Sequence, residues 1–188
     1  MNIKLQFKVE RRLGSPLLRI QIDDNPPAYQ GECLDTYDID IPVSAEYHEL
    51  RLTHYRKHYR DHTYNDKKEI VIDKSFELIS IRLDDILLSI NEKSQGKFYP
   101  VYEQKYINDM KKQGITLPEY ISPNLYFGHN GSWCFHFEYP VIDWFIKLRS
   151  NTFLSYLTDD SKYHTFTTST KFLKEMKEYF ENVDELNW

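Results

Sequence analysis

The chain is poor in cysteine and has no long apolar run. Its 188 residues include two cysteines, Cys33 and Cys134, which lie far apart and in no CxxC pair. They cannot form a disulfide scaffold, and this usage suits a protein made in a reducing compartment. No stretch approaches the ~18 apolar residues that a membrane-spanning helix needs, so we expect no membrane insertion. The first residues, MNIKLQFKVERRLG, alternate polar and apolar types, and we therefore predict a chain made in the cytoplasm without a signal peptide.

Acidic residues outnumber basic residues. The sequence has 24 Lys and Arg against 29 Asp and Glu, which gives a formal net charge of -5. Nucleic-acid binding requires a basic face that neutralises phosphates, so we expect no nucleic-acid partner. The nucleophile-elbow, P-loop and dinucleotide-binding motifs are absent as well. These absences favour a protein that is not an enzyme.

Over about the first ninety positions, polar and apolar residues alternate with a period of two. In IKLQFKV, the apolar side chains of Ile3, Leu5 and Phe7 alternate with Lys and Gln, as on a half-buried strand. The pattern recurs in LLRIQID, TYDIDIPV, ELRLTHY, EIVID, FELISIRL and DILLSI. Seven short strands with frequent turn signals predict a mainly β fold, with an antiparallel jelly-roll-like β-sandwich over residues 1–90.

The remaining residues, 91–188, predict an α/β extension. The segment YEQKYINDMKKQG indicates a short helix whose C-terminal cap is Gly114. Asn130-Gly131 suits a type I′ turn and predicts a β-hairpin over residues 125–138. The second strand of this hairpin has an aromatic face, which we expect to lie in the core and which comprises Trp133, Phe135 and Phe137.

An amphipathic C-terminal helix is predicted over residues 170–184. Such a helix must bury its apolar stripe, because alone it is marginal in water. Two places are open to it, its own domain or a neighbouring subunit. The chain ends in Trp188, a residue type enriched at interfaces, and this favours the second place. The predicted partner-binding residues are Phe172, Met176, Tyr179, Phe180, Val183 and Trp188.

Histidine is concentrated in the stretch HELRLTHYRKHYRDHT. On a helix, His54, His58 and His62 would share one face and could bind zinc. On a strand, residues four apart lie about 13 Å apart, so His54 and His62 would be too far apart for one metal ion. Because Leu50 and Leu52 precede these residues at strand spacing, we favour an exposed strand face and no metal. A metal-dependent enzyme that uses these histidines is the alternative.

Carboxylates follow the histidines in RDHTYNDKKE, and loop carboxylates are ligands that calcium accepts. Residues 14–90 resemble jelly-roll carbohydrate-binding modules of the calcium-dependent, xylan-binding type. GSPLLRIQIDD is similar to their early strand, HELRLTHYRKHYRDHTYNDKKEIVID to a late strand with an Asp-bearing loop, and FELISIRLDDILL to their closing strand pair. The resemblance implies glycan binding, with or without calcium, and places Asp61 and Asp66 near the calcium loop. Our expectation is no cofactor, with calcium as the open alternative.

The whole chain also resembles small uncharacterised proteins of tailed bacteriophages, as in FYPVY and LYFGHNGSWCFHFEYPVIDW. The resemblance implies a virion structural or accessory protein that contacts other protein subunits in a virion assembly or a homo-oligomer. This role, with the C-terminal half making the contacts, is the leading functional prediction. A glycan-binding module or adhesin is its first alternative.

Overall fold

A computed structural model describes residues 1–42, 46–58, 61–67, 69–122 and 124–158, with side chains described as far as residue 149. The chain divides into two units, residues 1–144 and residues 145–188. The predicted helix over residues 170–184 lies outside the described residues, together with its proposed partner-binding side chains. The prediction of a partner surface there stays a prediction.

The described residues form short strands and three helices. In chain order these are β1 (Asn2–Val9), β2 (Leu17–Ile22), β3 (Tyr29–Glu32), β4 (Thr36–Asp40), β5 (Tyr47–Tyr55), β6 (His62–Tyr64), β7 (Ile70–Asp73), β8 (Phe76–Leu83), β9 (Ile86–Leu87), α1 (Ile90–Lys93), β10 (Lys97–Pro100), α2 (Gln104–Lys112), β11 (Tyr126–Phe127), β12 (Gly131–Glu138) and α3 (Val141–Thr158). No helix among them is long and apolar enough to cross a bilayer.

The strands form two five-stranded antiparallel sheets and a separate two-stranded ribbon. The first sheet has the order β11-β8-β1-β4, and β9 pairs with the other end of β8. The second sheet has the order β10-β12-β5-β2-β3. The ribbon consists of β6 and β7.

The two sheets pack face to face through the apolar residues of the period-two pattern. On β1, Ile3, Leu5 and Phe7 are buried while the lysines between them are exposed. Rings from opposite sheets meet in the interior: Phe76 of β8 lies 5.1 Å from the His54 ring of β5, measured between centroids. This arrangement confirms the predicted antiparallel β-sandwich.

The sandwich does not end near residue 90, so the predicted boundary between residues 1–90 and 91–188 is wrong. β12, from the predicted extension, pairs with β5 from Gly131 opposite His54 to Glu138 opposite Tyr47. β10 pairs with the other edge of β12. The boundary was placed there because NEKSQGKFYP has the composition of a linker. In the structure, however, Phe98 of this segment is buried in the core.

The predicted hairpin over residues 125–138 is also wrong. β11 pairs with β8 in the first sheet, while β12 belongs to the second sheet. The chain therefore crosses from one sheet to the other at Asn130-Gly131, and these residues do not form a type I′ turn. Gly131 is still constrained, because it has φ of +152° and a Cβ added there would lie 2.8 Å from the Phe98 ring.

Among the local predictions, the short helix with Gly114 at its C-terminal end is confirmed. The turn between β8 and β9 passes through Asp84, whose φ is +50°. α2 ends at Lys112, and Gly114 follows with φ of +73°, a left-handed conformation that glycine adopts without strain. Both cysteines are free thiols.

Candidate functional site

The first unit contains an open cleft of about 780 Å³, a volume typical of ligand sites. The β6–β7 ribbon, the segment leading into α2, and the crossing between β11 and β12 surround it. The end of β1 and the start of β8 complete the wall. The residues that line the cleft are Lys8, Val9, Glu10, Lys57, His58, His62, Tyr64, Ile70, Val71, Asp73, Ser75, Phe76, Glu77, Val101, Tyr102, Glu103, Tyr106, Tyr126, Gly128, His129 and Asn130.

An ion pair between Lys57 and Asp73 lies at the floor of the cleft. The side chains are only 8% and 10% exposed. The Lys57 ammonium donates hydrogen bonds to Asp73 Oδ1 and to the carbonyl oxygen of Gly128. A charge buried to this degree is tolerated only when it is paired and hydrogen-bonded. The pair therefore joins the ribbon, the end of β5 and the crossing segment at one point.

The backbone around Lys57 explains how its side chain reaches the floor. Arg56 has φ of +56°, which ends the extended conformation of β5. The Lys57 N–H then donates to Asn130 Oδ1, and Asn130 Nδ2 donates to the Lys57 carbonyl oxygen, both at 2.8 Å. These reciprocal bonds fix Lys57 against the crossing segment.

Tyr126 connects the floor to the open side of the cleft. Its hydroxyl donates to Asp73 Oδ2 at 2.9 Å and lies 3.0 Å from Ser75 Oγ. Burial of this hydroxyl raises the pKa of Tyr126. The ring itself remains about half exposed, so one side chain offers an aromatic surface to the cleft and a polar contact beneath it.

A second aromatic wall is formed where α2 begins. The rings of Tyr102 and Tyr106 stack with centroids 5.7 Å apart and an interplanar angle of 29°. The His129 ring lies 6.2 Å from Tyr102 and 6.5 Å from Tyr106. Burial and the neighbouring Tyr106 raise the pKa of Tyr102. Partial burial and the Lys57 ammonium lower the pKa of His129, which favours its neutral form beside the tyrosines.

The ribbon contributes another part of the rim. The rings of His62 and Tyr64 meet edge to face, with centroids 4.8 Å apart. Tyr64, Ile70 and Val71 are each more than half exposed. Tyr64, Ile70 and Val71 thus add one aromatic and two aliphatic residues to the lining of the cleft.

The carboxylates of the cleft are Glu10, Asp73, Glu77 and Glu103. Asp73 is neutralised by Lys57, and Glu10 Oε1 lies 3.5 Å from the Arg12 guanidinium. Lys8 is the register partner of Glu77 across β1 and β8. The charged groups around the cleft therefore lack any excess of positive charge.

The structure separates the histidines that the sequence brings together. His54 lies on the inner face of the sandwich and is 1% exposed, whereas His58 is exposed in the cleft and His62 lies half-buried on the ribbon. The prediction of an exposed strand face is therefore wrong for His54. Residues 50, 52 and 54 have the same parity, so Leu50, Leu52 and His54 all point inward. Within the described ranges, no group of three or more His, Cys, Asp and Glu side chains could hold a metal ion.

Burial and the nearby Lys57 ammonium lower the pKa of His54 to about 4. Its neighbour on the same face, His48, is also buried and pairs through Nδ1 with Asp23 Oδ2 at 2.9 Å. Both histidines therefore belong to the interior of the sandwich, away from the cleft surface.

The two proposed calcium residues, Asp61 and Asp66, have different surroundings. Asp61 Oδ2 accepts the His58 N–H at 2.8 Å and lies 3.9 Å from the Lys74 ammonium. Asp66 is exposed in the turn of the ribbon. The calcium alternative stays a prediction.

Sequence reasoning missed most of the cleft. Lys57, Asp73 and Tyr126 lie in three separate segments, and their contact depends on the φ of Arg56 and on the crossing at Asn130. No residue spacing within one segment predicts such a contact. For His54 a signal did exist, namely its parity with Leu50 and Leu52.

Comparisons with known proteins give one weak structural likeness. A scan against protein-family models and a search of curated proteins both found no match. A solved structure titled "vCBM60 in complex with galactobiose" matches with a TM-score of 0.42 and 9% sequence identity, covering 72% of this chain and 97% of that chain. At that TM-score and identity, no conclusion about this protein rests on the likeness.

Proposed function

We propose that this protein is a non-catalytic glycan-binding protein and that the cleft of the first unit holds the sugar. The observation that carries the proposal is the composition of the cleft. Four tyrosine rings and a set of carboxylate, imidazole and amide groups line a single open cavity of about 780 Å³.

The tyrosines suit the two kinds of surface that a sugar presents. The C–H face of a sugar ring is apolar and packs on an aromatic face, whereas its hydroxyls need hydrogen-bond partners. Tyrosine supplies both, because it has a large apolar ring and a polar tip. Tyr64, Tyr102, Tyr106 and Tyr126 all line the cleft, so a sugar bound there would have several aromatic rings to pack against.

The floor of the cleft supports binding rather than chemistry. Asp73 is the buried carboxylate of the site, and both of its oxygens are engaged, Oδ1 by Lys57 and Oδ2 by Tyr126. A carboxylate held in this way is a poor nucleophile or general base, because either role needs a free lone pair aimed at the substrate. The pair instead gives the cleft a rigid base, which reduces the entropy lost on binding.

The virion role and the partner surface at Phe172, Met176, Tyr179, Phe180, Val183 and Trp188 remain predictions from the sequence. Their residues lie outside the described part of the chain. The contacts that the structure does describe favour the glycan alternative, and for this reason it is the function that we propose.

The test compares two tyrosines with matched surroundings. Tyr106 lines the cleft and is 42% exposed, and Tyr120 lies outside the cleft lining and is 44% exposed. Each has one tyrosine neighbour, Tyr102 at 5.7 Å and Tyr99 at 6.0 Å between ring centroids. The purified protein is first screened on a glycan array, with calcium and with a chelator, and the strongest hit is then titrated by calorimetry.

We expect Tyr106→Ala to weaken binding of that glycan about tenfold, the loss typical of a central aromatic contact. Tyr120→Ala should keep the affinity within about twofold, since a surface change away from a site has little effect. A folded protein that binds no glycan on the array would overturn the proposal, and so would equal losses in the two variants. The chelator arm tests the calcium alternative at Asp61 and Asp66.

A further inference from the structure

The cleft has an aliphatic part that a fully hydroxylated sugar does not explain. Ile70 and Val71 of β7 are each 53% exposed, and Val101, which follows β10, is 67% exposed. All three line the same cavity as the tyrosines. A hydroxyl placed against an aliphatic side chain loses its water without gaining a partner, and this costs free energy. The aliphatic part is therefore better matched by a methyl group.

We propose that the cleft binds glycans whose sugars carry an uncharged, methyl-bearing substituent, and specifically chains of N-acetylhexosamine. This inference rests on the proposed glycan-binding function and assigns its ligand class. Each methyl group that leaves water for an aliphatic contact contributes about 0.8 kcal/mol, which corresponds to roughly a fourfold gain in affinity.

The amide of an acetamido group also finds partners in the cleft. Its N–H needs an acceptor, and the Glu103 carboxylate is exposed beside Tyr102 at the start of α2. Its carbonyl oxygen needs a donor, and the tyrosine hydroxyls and the imidazole of His58 line the same cavity. Donors and acceptors thus line the same cavity as the aliphatic residues, as the mixed chemistry of an acetamido group requires.

The charges of the cleft disfavour acidic sugars. Lys57, the buried cation, is already paired with Asp73, and Lys8 lies opposite Glu77. Glu103 would repel the carboxylate of a uronic or sialic acid, and a like charge brought close is a common source of discrimination. The ligand class is therefore an acetylated sugar without an acidic group.

The experiment compares three β-1,4-linked oligosaccharides of equal length, built from N-acetylglucosamine, from glucose and from glucosamine. We expect the N-acetylglucosamine oligomer to bind at least about fourfold more tightly than the glucose oligomer. The glucosamine oligomer has lost the acetyl methyl group but carries ammonium groups that Glu103 would attract, so it is titrated at high ionic strength, where we expect no such gain. Binding is measured by titration calorimetry with the full chain.

Ile70→Thr tests the aliphatic contact, because it keeps a β-branched residue in β7 and replaces a methyl-bearing arm by a hydroxyl. The matched control is Ile90→Thr at the start of α1, where the side chain is 60% exposed and outside the cleft lining. Ile70→Thr should reduce the preference for the N-acetylated oligomer to less than about twofold, while the control keeps it. Melting curves confirm that both variants are folded.

The outcomes separate the two proposals. If the glucose and N-acetylglucosamine oligomers bind equally, or another glycan of the array binds more tightly, the ligand class is wrong and glycan binding stands. If the preference survives Ile70→Thr, the aliphatic rim does not recognise the acetyl group and the inference is overturned. If no glycan binds at all, both proposals fail together.

Discussion

The core of the sandwich and the cleft are both rich in aromatic rings, but they hold those rings in opposite ways. On β12, Trp133, Phe135 and Phe137 are at most 1% exposed, and the first two rings stack 5.4 Å apart. In the cleft, Tyr64 and Tyr106 are 57% and 42% exposed. β12 thus contributes two phenylalanines and a tryptophan to the core, whereas four tyrosines line the cleft.

The comparison shows how position decides the role of an aromatic side chain. Residues of β12 alternate between the two faces of the sheet, so its odd-numbered rings point into the sandwich. The cleft tyrosines lie on the β6–β7 ribbon, on the two-residue β11 and around the start of α2, and Tyr64, Tyr106 and Tyr126 are exposed there. They therefore keep one face open to a ligand.

The largest effect that tests this contrast is expected from Trp133→Ala. Removing a fully buried ring leaves a cavity, and we expect the free energy of unfolding to fall by about 3 to 5 kcal/mol. Tyr106→Ala should lower it by less than about 1 kcal/mol, because its ring is already half in water. Denaturant titration of both variants measures the difference. Similar losses would show that the cleft rings belong to the core.

A second test uses the two histidines on either side of the boundary between core and cleft. His54 is buried with a pKa lowered to about 4, against about 6.5 in the unfolded chain. Between pH 6.5 and pH 4 the unfolded chain binds a proton that the folded protein excludes. The free energy of unfolding should therefore fall by about 3 kcal/mol as the pH drops through this window.

The variant His54→Leu should remove this part of the pH dependence, because the core position then carries no titratable group. His58→Leu, in the exposed cleft, is the matched control, and in this variant the fall in stability that we assign to His54 should persist. Denaturant titrations at several pH values between 4 and 7 would show the two profiles. An unchanged profile in His54→Leu would contradict the assignment of His54 to the core.

The strands that could be predicted from the sequence are those with a clear period of two, such as β1 and β5. There the burial of each position follows from its parity. β3 and β10 have no such pattern. The sequence of β3, YQGE, contains a glycine and has no buried residue, and that of β10, KFYP, contains a proline and has one buried residue. They form strands because they pair with β2 and β12, and a local sequence pattern does not predict this pairing.

The cleft could not be predicted for a different reason. Its floor joins Lys57 to Asp73, sixteen residues on, and to Gly128, seventy-one residues on. Such contacts depend on how three segments from different sheets pack, since β5, β7 and β11 do not pair with one another, and a single sequence gives no distance between them. The amino-acid composition shows that the chain is rich in tyrosine, but only the fold shows which tyrosines line a common cavity.

The smallest effect is expected where core and cleft meet, at Tyr126. Its ring is about half exposed, and its hydroxyl reaches inward to Asp73 Oδ2. Tyr126→Phe keeps the ring and removes this hydrogen bond, and a buried hydrogen bond contributes about 1 kcal/mol. We therefore expect the free energy of unfolding to fall by about 1 kcal/mol while glycan affinity changes less than about threefold.

The control for Tyr126 is Tyr47→Phe, in a side chain that is 66% exposed and outside the cleft lining. It should leave stability and binding unchanged, since a hydroxyl in water is replaced without loss of a buried partner. A stability loss in Tyr126→Phe without a comparable loss of affinity would mean that its hydroxyl serves the floor and its ring serves the ligand. If affinity instead fell as far as in Tyr106→Ala, the hydroxyl would act on the ligand directly, and the division between a structural floor and a binding wall would not hold.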